Sequence, residues 1–303
     1  NEKARAIKEI NTGAYWFNAE FLLSALGELT TANASGEYYL TDTVAVAVNR
    51  GLKAGAVNCR PEAALGANDR RSLAALNEIA RTRVLDRLMA EGVDIPFPAQ
   101  VTVGPQVRVG PDTRILPGSI LTGETVIGKD CEIGPNTRIN DAVVGDGSAI
   151  IASFVESSTV GGGVKIGPMS NIRPGCVIGD GVKAGDFVEL KNSNIGRGTS
   201  VAHLTYVGDA DVGEFCNFGC GVVTVNYDGS GKYRTEIGNG AFIGCNTNLI
   251  APIRLGDRVY CAAGTTVTED VPEGSLVIGR SRQAVKENWN SSGERYQKGR
   301  TRK

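Results

Sequence analysis

The sequence predicts a mainly β fold: a left-handed parallel β-helix over most of its length, preceded by an α/β segment and a long linker helix. Three observations carry this. From Val103 onward an aliphatic residue recurs at every sixth position, as in Val103, Val109, Ile115, Leu121, Ile127 and Ile133. Gly usually follows that aliphatic, and the chain holds 40 glycines, about twice the usual share of roughly 7%. The same period returns in two later registers, from Val160 to Leu190 and from Ile237 to Val267. A fixed six-residue period is the mark of a parallel β-helix, in which three hexads close one triangular coil.

Residues 1–70 read as α/β. After a strand-like beginning, a helix is expected from Asn18, with Phe21, Leu22, Leu26 and Leu29 on one side. A second helix ends at Gly51, and "AGAVNCR" reads as a short strand. Residues 71–98 are expected to form a linker helix and junction. Asn68 or Asp69 caps this helix, Leu73, Leu76, Ile79, Ala80, Val84 and Leu88 line its apolar face, and Gly92 ends it. The β-helix is assigned to residues 99–275, in about nine coils stacked at about 4.8 Å. Residues 276–303 form a C-terminal segment with a polar, basic and mobile tail.

Within the β-helix, Val or Ile points inward, and residues 18 apart lie above one another. The phase slips by one residue between Ile139 and Val144, between Leu190 and Ile195, and between Val207 and Val212. A larger break, residues 224–236, is polar, Gly-rich and without guide residues, and should leave the coil as a loop.

Composition narrows the partners. A formal net charge of −1 gives no global pull toward nucleic acid or an anionic membrane. No apolar stretch approaches the roughly 20 residues needed to span a bilayer. No signal peptide opens the sequence, and a first residue of Asn rather than Met is read as the mark of a fragment. Seven cysteines are an odd number with no disulfide-like spacing. Cys131, Cys176 and Cys216 each stand four places after a guide aliphatic, where the coil takes a small side chain. Buried free thiols of this kind favour a reducing cytoplasm.

His203 is the single histidine. Alone, a histidine is more often structural or inert than catalytic, although a neutral imidazole suits a general base near pH 7. Three neighbours raise the catalytic reading. Arg173 and Lys191 are 18 apart and stack as two cations, which an anion such as a phosphate would bridge. The plain alternative is two solvated surface cations. His203 and Cys220 occupy equivalent slots on adjacent coils, and the loop with Asn226, Tyr227 and Lys232 begins one coil further on. His203 and the cation pair fall on different faces. They would meet around a corner or, as we prefer, across the interface of a cyclic trimer of prisms. One His argues against a zinc site built from three histidines, and the Cys216–Cys220 pair occupies different slot types, so no metal is assigned there.

The stretches "INTGAYWFN", "GEYYLTD", "RPGCVIGDGVKAGDFVELKNSNIGRGTSVAHLTYVGDADVG", "VNYDG" and "AAGTTVTEDVPEGSLVIGR" resemble the bacterial bifunctional enzyme of UDP-N-acetylglucosamine synthesis. That family joins an N-acetylglucosamine-1-phosphate uridyltransferase to a glucosamine-1-phosphate N-acetyltransferase, and the resemblance runs from about Ile10 to Arg280. It implies that the β-helix acetylates the amine of glucosamine 1-phosphate from acetyl-CoA. His203 matches the base. Arg173, Lys191, Tyr206 and Asn217 match sugar-phosphate and product contacts, and Lys232 a basic residue of the loop. Asn226, Tyr227, Ala263 and Arg280 match residues around acetyl-CoA. Cys220 and Cys245 stand where relatives often carry Ala and Ser at that site. A thiol there would make the enzyme sensitive to alkylation.

The resemblance also implies that residues 1–70 are the last part of a Rossmann-like uridyltransferase domain. Asn11 matches a uridine-sugar contact and Asn68 a magnesium ligand whose aspartate partner lies upstream. The Gly-rich nucleotide loop is missing, so this chain alone is not expected to transfer uridylyl groups. Two other readings stand beside this one: a different hexapeptide acyltransferase, or a nucleotide-sugar pyrophosphorylase whose prism only oligomerises.

Overall fold

The computed structural model describes residues 9–287 and 289, so the tail expected to be mobile lies outside the described residues. The chain divides into two compact units, Asn1–Ala80 and Arg81–Lys303.

In the first unit, helix α1 (Ala19–Leu26) starts where the Asn18 side chain accepts from the Phe21 amide. Helix α2 (Asp42–Asn49) packs on it, with Arg50 paired to Glu28 and bonded to Ser24. Gly51, at φ 70°, turns the chain out of α2, as expected of a C-terminal glycine. Of the two strands expected in this unit, the second is not formed, residues 54–60 being irregular; the first begins outside the described residues, and residues 9–17 are irregular. A strand needs a neighbour to take its backbone bonds, and no other described segment of the unit is extended and paired.

Helix α3 (Arg70–Ala90) runs across the division between the units. Asp69 rather than Asn68 caps it, its carboxylate accepting from the Ser72 amide at 2.7 Å. That bond holds the Asp69 carboxyl below its ordinary pKa. Gly92, at φ 95°, follows its end. The buried face differs from the expected one. Leu85 and Leu88 are buried, whereas Leu73 is 48% exposed and Ala80 is exposed. Leu85 and Leu88 join Val93, Ile95 and Val101 in the β-helix core, and so close the first end of the solenoid.

The second unit is a parallel β-helix with three faces. The first face has ten strands, from Thr102–Val103 to Thr266–Val267. The second has nine, from Arg108–Val109 to Ile253–Leu255. The third has ten, from Arg114–Ile115 to Leu276–Val277. About ten turns thus replace the nine expected. The guide residues form one continuous core from Val103 to Val267. In most two-residue strands the outer residue is exposed and the guide buried. The small slot behaves as expected: Cys131, Cys176 and Cys216 are buried. Thr199 shows the slot's use, for its hydroxyl donates to the Gly213 carbonyl at 2.9 Å and accepts from the Cys216 amide at 3.0 Å.

All three expected slips are present, and two more follow Ile150: Ile150 to Val155 and Val155 to Val160 are also five-residue steps. Every five-residue step places a left-handed residue two positions after its guide: Asp141, Ala152, Ser157, Asn192 and Asp209, with φ between 42° and 49°. That conformation reverses the chain in one residue fewer, and Asn and Asp tolerate it better than most side chains. The large break is narrower than expected. Thr224 is a buried guide in register with Leu249, and Thr235–Ile237 is again a strand. Residues 226–234 leave the solenoid at the corner between the first and second faces.

Candidate functional site

Two corners and the face between them collect most of the expected residues. The strand Ser200–His203 ends the third face, and its last residue pairs in register with Asp186 one turn below. The step from Leu190 to Ile195 is one residue short, so 17 positions, not 18, separate the two. The His203 imidazole Nδ1 lies 2.6 Å from the Asp186 Oδ1. This bond is the first cause that lowers the Asp186 pKa. An ionised carboxylate only accepts, so Nδ1 carries the proton. In the neutral imidazole Nε2 is then the acceptor, on a side chain that is 55% exposed.

The same corner continues upward. Phe218 pairs with Ile243 and Ile243 with Cys261, which places Cys220, Cys245 and Ala263 in one column above His203. The Asn246 amide donates to the Cys220 carbonyl and the Gly264 amide to the Cys245 carbonyl, each at 2.8 Å. Arg280 lies against Gly264, beside Ala263: a Cβ on that glycine would meet the Arg280 Cδ at 3.5 Å. Cys245 and Ala263 are exposed and Cys220 is half-buried.

Arg173 and Lys191 lie on the first face, one above the other, set by the pairing of Ile172 with Leu190. They are not two bare cations. Arg173 donates to the Glu189 carboxylate at 2.9 Å, which raises its pKa. Lys191 faces Lys232 of the loop, and this close ammonium lowers the Lys191 pKa. Tyr206 pairs with Glu189 across the sheet and folds over Gly208, the residue in register with Lys191. A Cβ at Gly208 would collide with the Tyr206 hydroxyl, so the absent side chain makes room for the phenol.

The loop is fastened at its root. Asn226 is buried, its side-chain amide donating to Asp209 and, at 3.4 Å, to the Tyr206 hydroxyl. The Tyr233 amide donates to the Asn226 carbonyl, and Arg234 is bidentate to Asp211. At the tip, Asp228 accepts from the Ser230 and Gly231 amides, which lower its pKa to about 2. Tyr227 is exposed and donates to the Gly229 carbonyl at 2.7 Å.

Lys191, Tyr206, Asn226 and Lys232 therefore converge, with Arg173 beside them. His203 stands apart at the neighbouring corner, where its imidazole bonds Asp186. Asn217 lies exposed on the third face, in register with Ser200 and Phe242. Asn11 and Asn68 belong to the other unit. Asn11 bonds Gly13 and Tyr15, and the Asn68 amide nitrogen donates to Ser72. Among the described residues no three metal-ligating side chains come together, and the carboxylate next to Asn68 caps a helix. Among the described residues, then, Asn68 has no set of carboxylates gathered around it for a magnesium ion.

Three acidic residues escaped the sequence reading: Asp186, Glu189 and Asp209. The phase count that linked His203 to Cys220 also runs downward, and one slipped turn below it reaches Asp186.

A parallel β-helix built on a six-residue period, with an imidazole–carboxylate pair at one corner and a cation cluster on the adjoining face, defines a hexapeptide-repeat protein. Relatives narrow the class. The chain is 46% identical over 283 residues to "Bifunctional protein GlmU" of Clostridium acetobutylicum, covering 93% of this chain and 62% of the relative. It is 50% identical over 286 residues to the GlmU of Acetivibrio thermocellus, covering 94% and 62%. The chain thus matches a portion of GlmU, spanning 62% of the length of these relatives. A family model described as "GMPPB C-terminal domain" matches residues 100–196. Among solved structures, the UDP-N-acetylglucosamine acyltransferase of Francisella novicida superposes with a TM-score of 0.40 at 16% identity, covering 61% of this chain and 66% of that one.

Proposed function

We propose that this chain carries an acetyltransferase that moves the acetyl group of acetyl-CoA to the amine of glucosamine 1-phosphate. The observation that carries the reading is His203 with its proton held on Nδ1 by Asp186, in a chain 46% identical to a GlmU over 283 residues. The free Nε2 takes a proton from the sugar amine as its nitrogen attacks the thioester carbonyl carbon. The C–N bond forms, the C–S bond breaks, and the departing CoA sulfur leaves as thiolate to be protonated. Arg173, Lys191 and Lys232 supply the positive charge for the sugar phosphate, with Tyr206 and Asn217 as further sugar contacts. Asn226, Tyr227, Cys220, Cys245, Ala263 and Arg280 line the path assigned to acetyl-CoA.

The prism is proposed to work as a homotrimer. His203 and the cation cluster occupy a corner and a face, and a neighbouring prism would complete the space between them. Residues 1–70 are read as the end of a uridyltransferase domain. Uridylyl transfer with magnesium, using Asn11 and Asn68, belongs to the longer protein. No helix is long and apolar enough to cross a membrane among the described residues. With all seven cysteines free, we place the protein in a reducing cytoplasm.

The test is thiol release from acetyl-CoA in the presence of glucosamine 1-phosphate. The wild type is expected to release thiol, and His203→Ala to lose about 10²–10⁴-fold in kcat. Silence from the wild type would return the prism to the scaffold reading, and full activity in the variant would remove His203 as base.

A further inference from the structure

Asp209 holds together parts of the site that the chain presents far apart in sequence. It is buried, 7% exposed, on a five-residue corner with φ 49°. All its polar groups are used. Its amide donates to the Lys191 carbonyl at 2.9 Å, and its own carbonyl accepts from Thr235, where the loop returns, at 3.1 Å. One carboxylate oxygen accepts from the Asn192 side chain at 2.5 Å and the other from Asn226, where the loop departs. The ammonium groups of Lys191 and Lys232 lie close enough to favour its charged form.

Resting on the acetyl-transfer reading, we infer that Asp209 is a positioning residue that couples the two substrates. It fixes the loop root assigned to acetyl-CoA, and its amide bonds the Lys191 carbonyl, which sets its carboxylate near the lysines assigned to the sugar phosphate. The two roles oppose each other electrostatically. Its charge holds Asn226 by a charge-assisted bond, and that same charge weakens the field that Lys191 and Lys232 offer a phosphate. An arriving phosphate supplies the anion those lysines otherwise find in Asp209, so each substrate's affinity depends on the other.

Asp209→Asn separates this from a merely structural role. The substitution keeps the side-chain size and tolerates the left-handed backbone. It deletes the charge and turns an NH2 toward one of the two amides. The expected result is a rise of about tenfold in KM for acetyl-CoA, one charge-assisted bond's worth. KM for glucosamine 1-phosphate is unchanged or lowered. Amide hydrogen exchange across residues 226–234 becomes faster, and glucosamine 1-phosphate no longer slows it. A joint rise of both KM values, or wild-type exchange in the loop, overturns the inference.

Asn192→Gly is the second variant, for use if Asp209→Asn does not fold. Gly accepts the φ of 45° at that site, and the change removes one of the two amides from Asp209. It should give the same split with smaller amplitude, and equal losses for both substrates count against the inference. If the wild type releases no thiol, the functional reading fails. The exchange measurement still decides on Asp209, with inorganic phosphate as the probe anion: phosphate must slow loop exchange in the wild type and not in Asp209→Asn.

Discussion

Burial sorts the cysteines into two chemical kinds. Cys131, Cys176, Cys216 and Cys261 are buried, and desolvation raises each thiol pKa, that of Cys261 from 9.0 to about 11. Cys59 and Cys245 are exposed. Iodoacetamide at pH 8 should therefore label Cys59 and Cys245 in the folded protein and leave those four unmodified until denaturant is added. Peptide mass spectrometry reads this directly, and rapid labelling of Cys261 in the folded protein would contradict it. The sign of the pH effect follows. Between about pH 9 and about pH 11 an unfolded chain has released a Cys261 proton that the folded chain keeps, so stability falls as pH rises through that window. The small-slot role of Cys131, Cys176 and Cys216 was legible in the sequence because one position of a periodic pattern recurs. The partner of His203 was within reach of the same count, run one slipped turn downward to Asp186. Asp209 was hidden, for the sequence shows the slip it creates, and not the Asn192 and Asn226 side chains that the shortened corner brings to it.

At the scale of the element, a turn of the helix is thin, and its neighbours are backbone. Gly185, next to Asp186, shows how little room there is: a Cβ at this position would collide with the Ala202 carbonyl oxygen on the next turn. Gly185→Ala should destabilise by about 1–3 kcal/mol, as overpacking does. It should also lower kcat for thiol release, because the strand carrying Asp186 and the strand carrying His203 must part. A thermal melt with an assay at low temperature checks both. An unshifted melting temperature with full activity would show that the two strands yield without cost. The loop obeys another logic. Its departure was visible as a loss of period, but its edges were not, because Thr224 fills a guide position with a polar side chain. That hydroxyl is satisfied internally, accepting from the Gly208 amide at 2.8 Å and donating to the Gly208 carbonyl at 3.0 Å. The second strand expected in the first unit failed for the complementary reason: composition favoured extension, and among the described residues of that unit no paired strand offers an edge.

For the whole molecule, the open end of a solenoid is its exposed liability. The end of α3 covers it with Leu85 and Leu88, which are 1% and 0% exposed. Leu88→Asp buries a charge without a partner and uncovers the first turn. The expected outcome is aggregation, seen by light scattering at concentrations where the wild type stays clear, together with a lower melting temperature. Clear solutions of the variant would mean that the first turn needs no cover. The period made the solenoid legible over most of the chain, whereas this cover was only half legible, since Leu85 lies outside the apolar face read from spacing.

The unequal turns have a consequence for how such a chain changes over time. Ile139 pairs with Val155, Val160 with Ile178, and Phe218 with Ile243 across the loop, so successive layers use different lengths of chain. Each layer takes its alignment from the layer beneath through backbone bonds, not from a tally kept since the first residue. A residue gained or lost at a corner is thus an edit confined to one line of the text. Lineages can insert a binding loop, or shorten a corner to bring an Asn beneath an Asp, without reprinting the core. The molecule is revised one storey at a time.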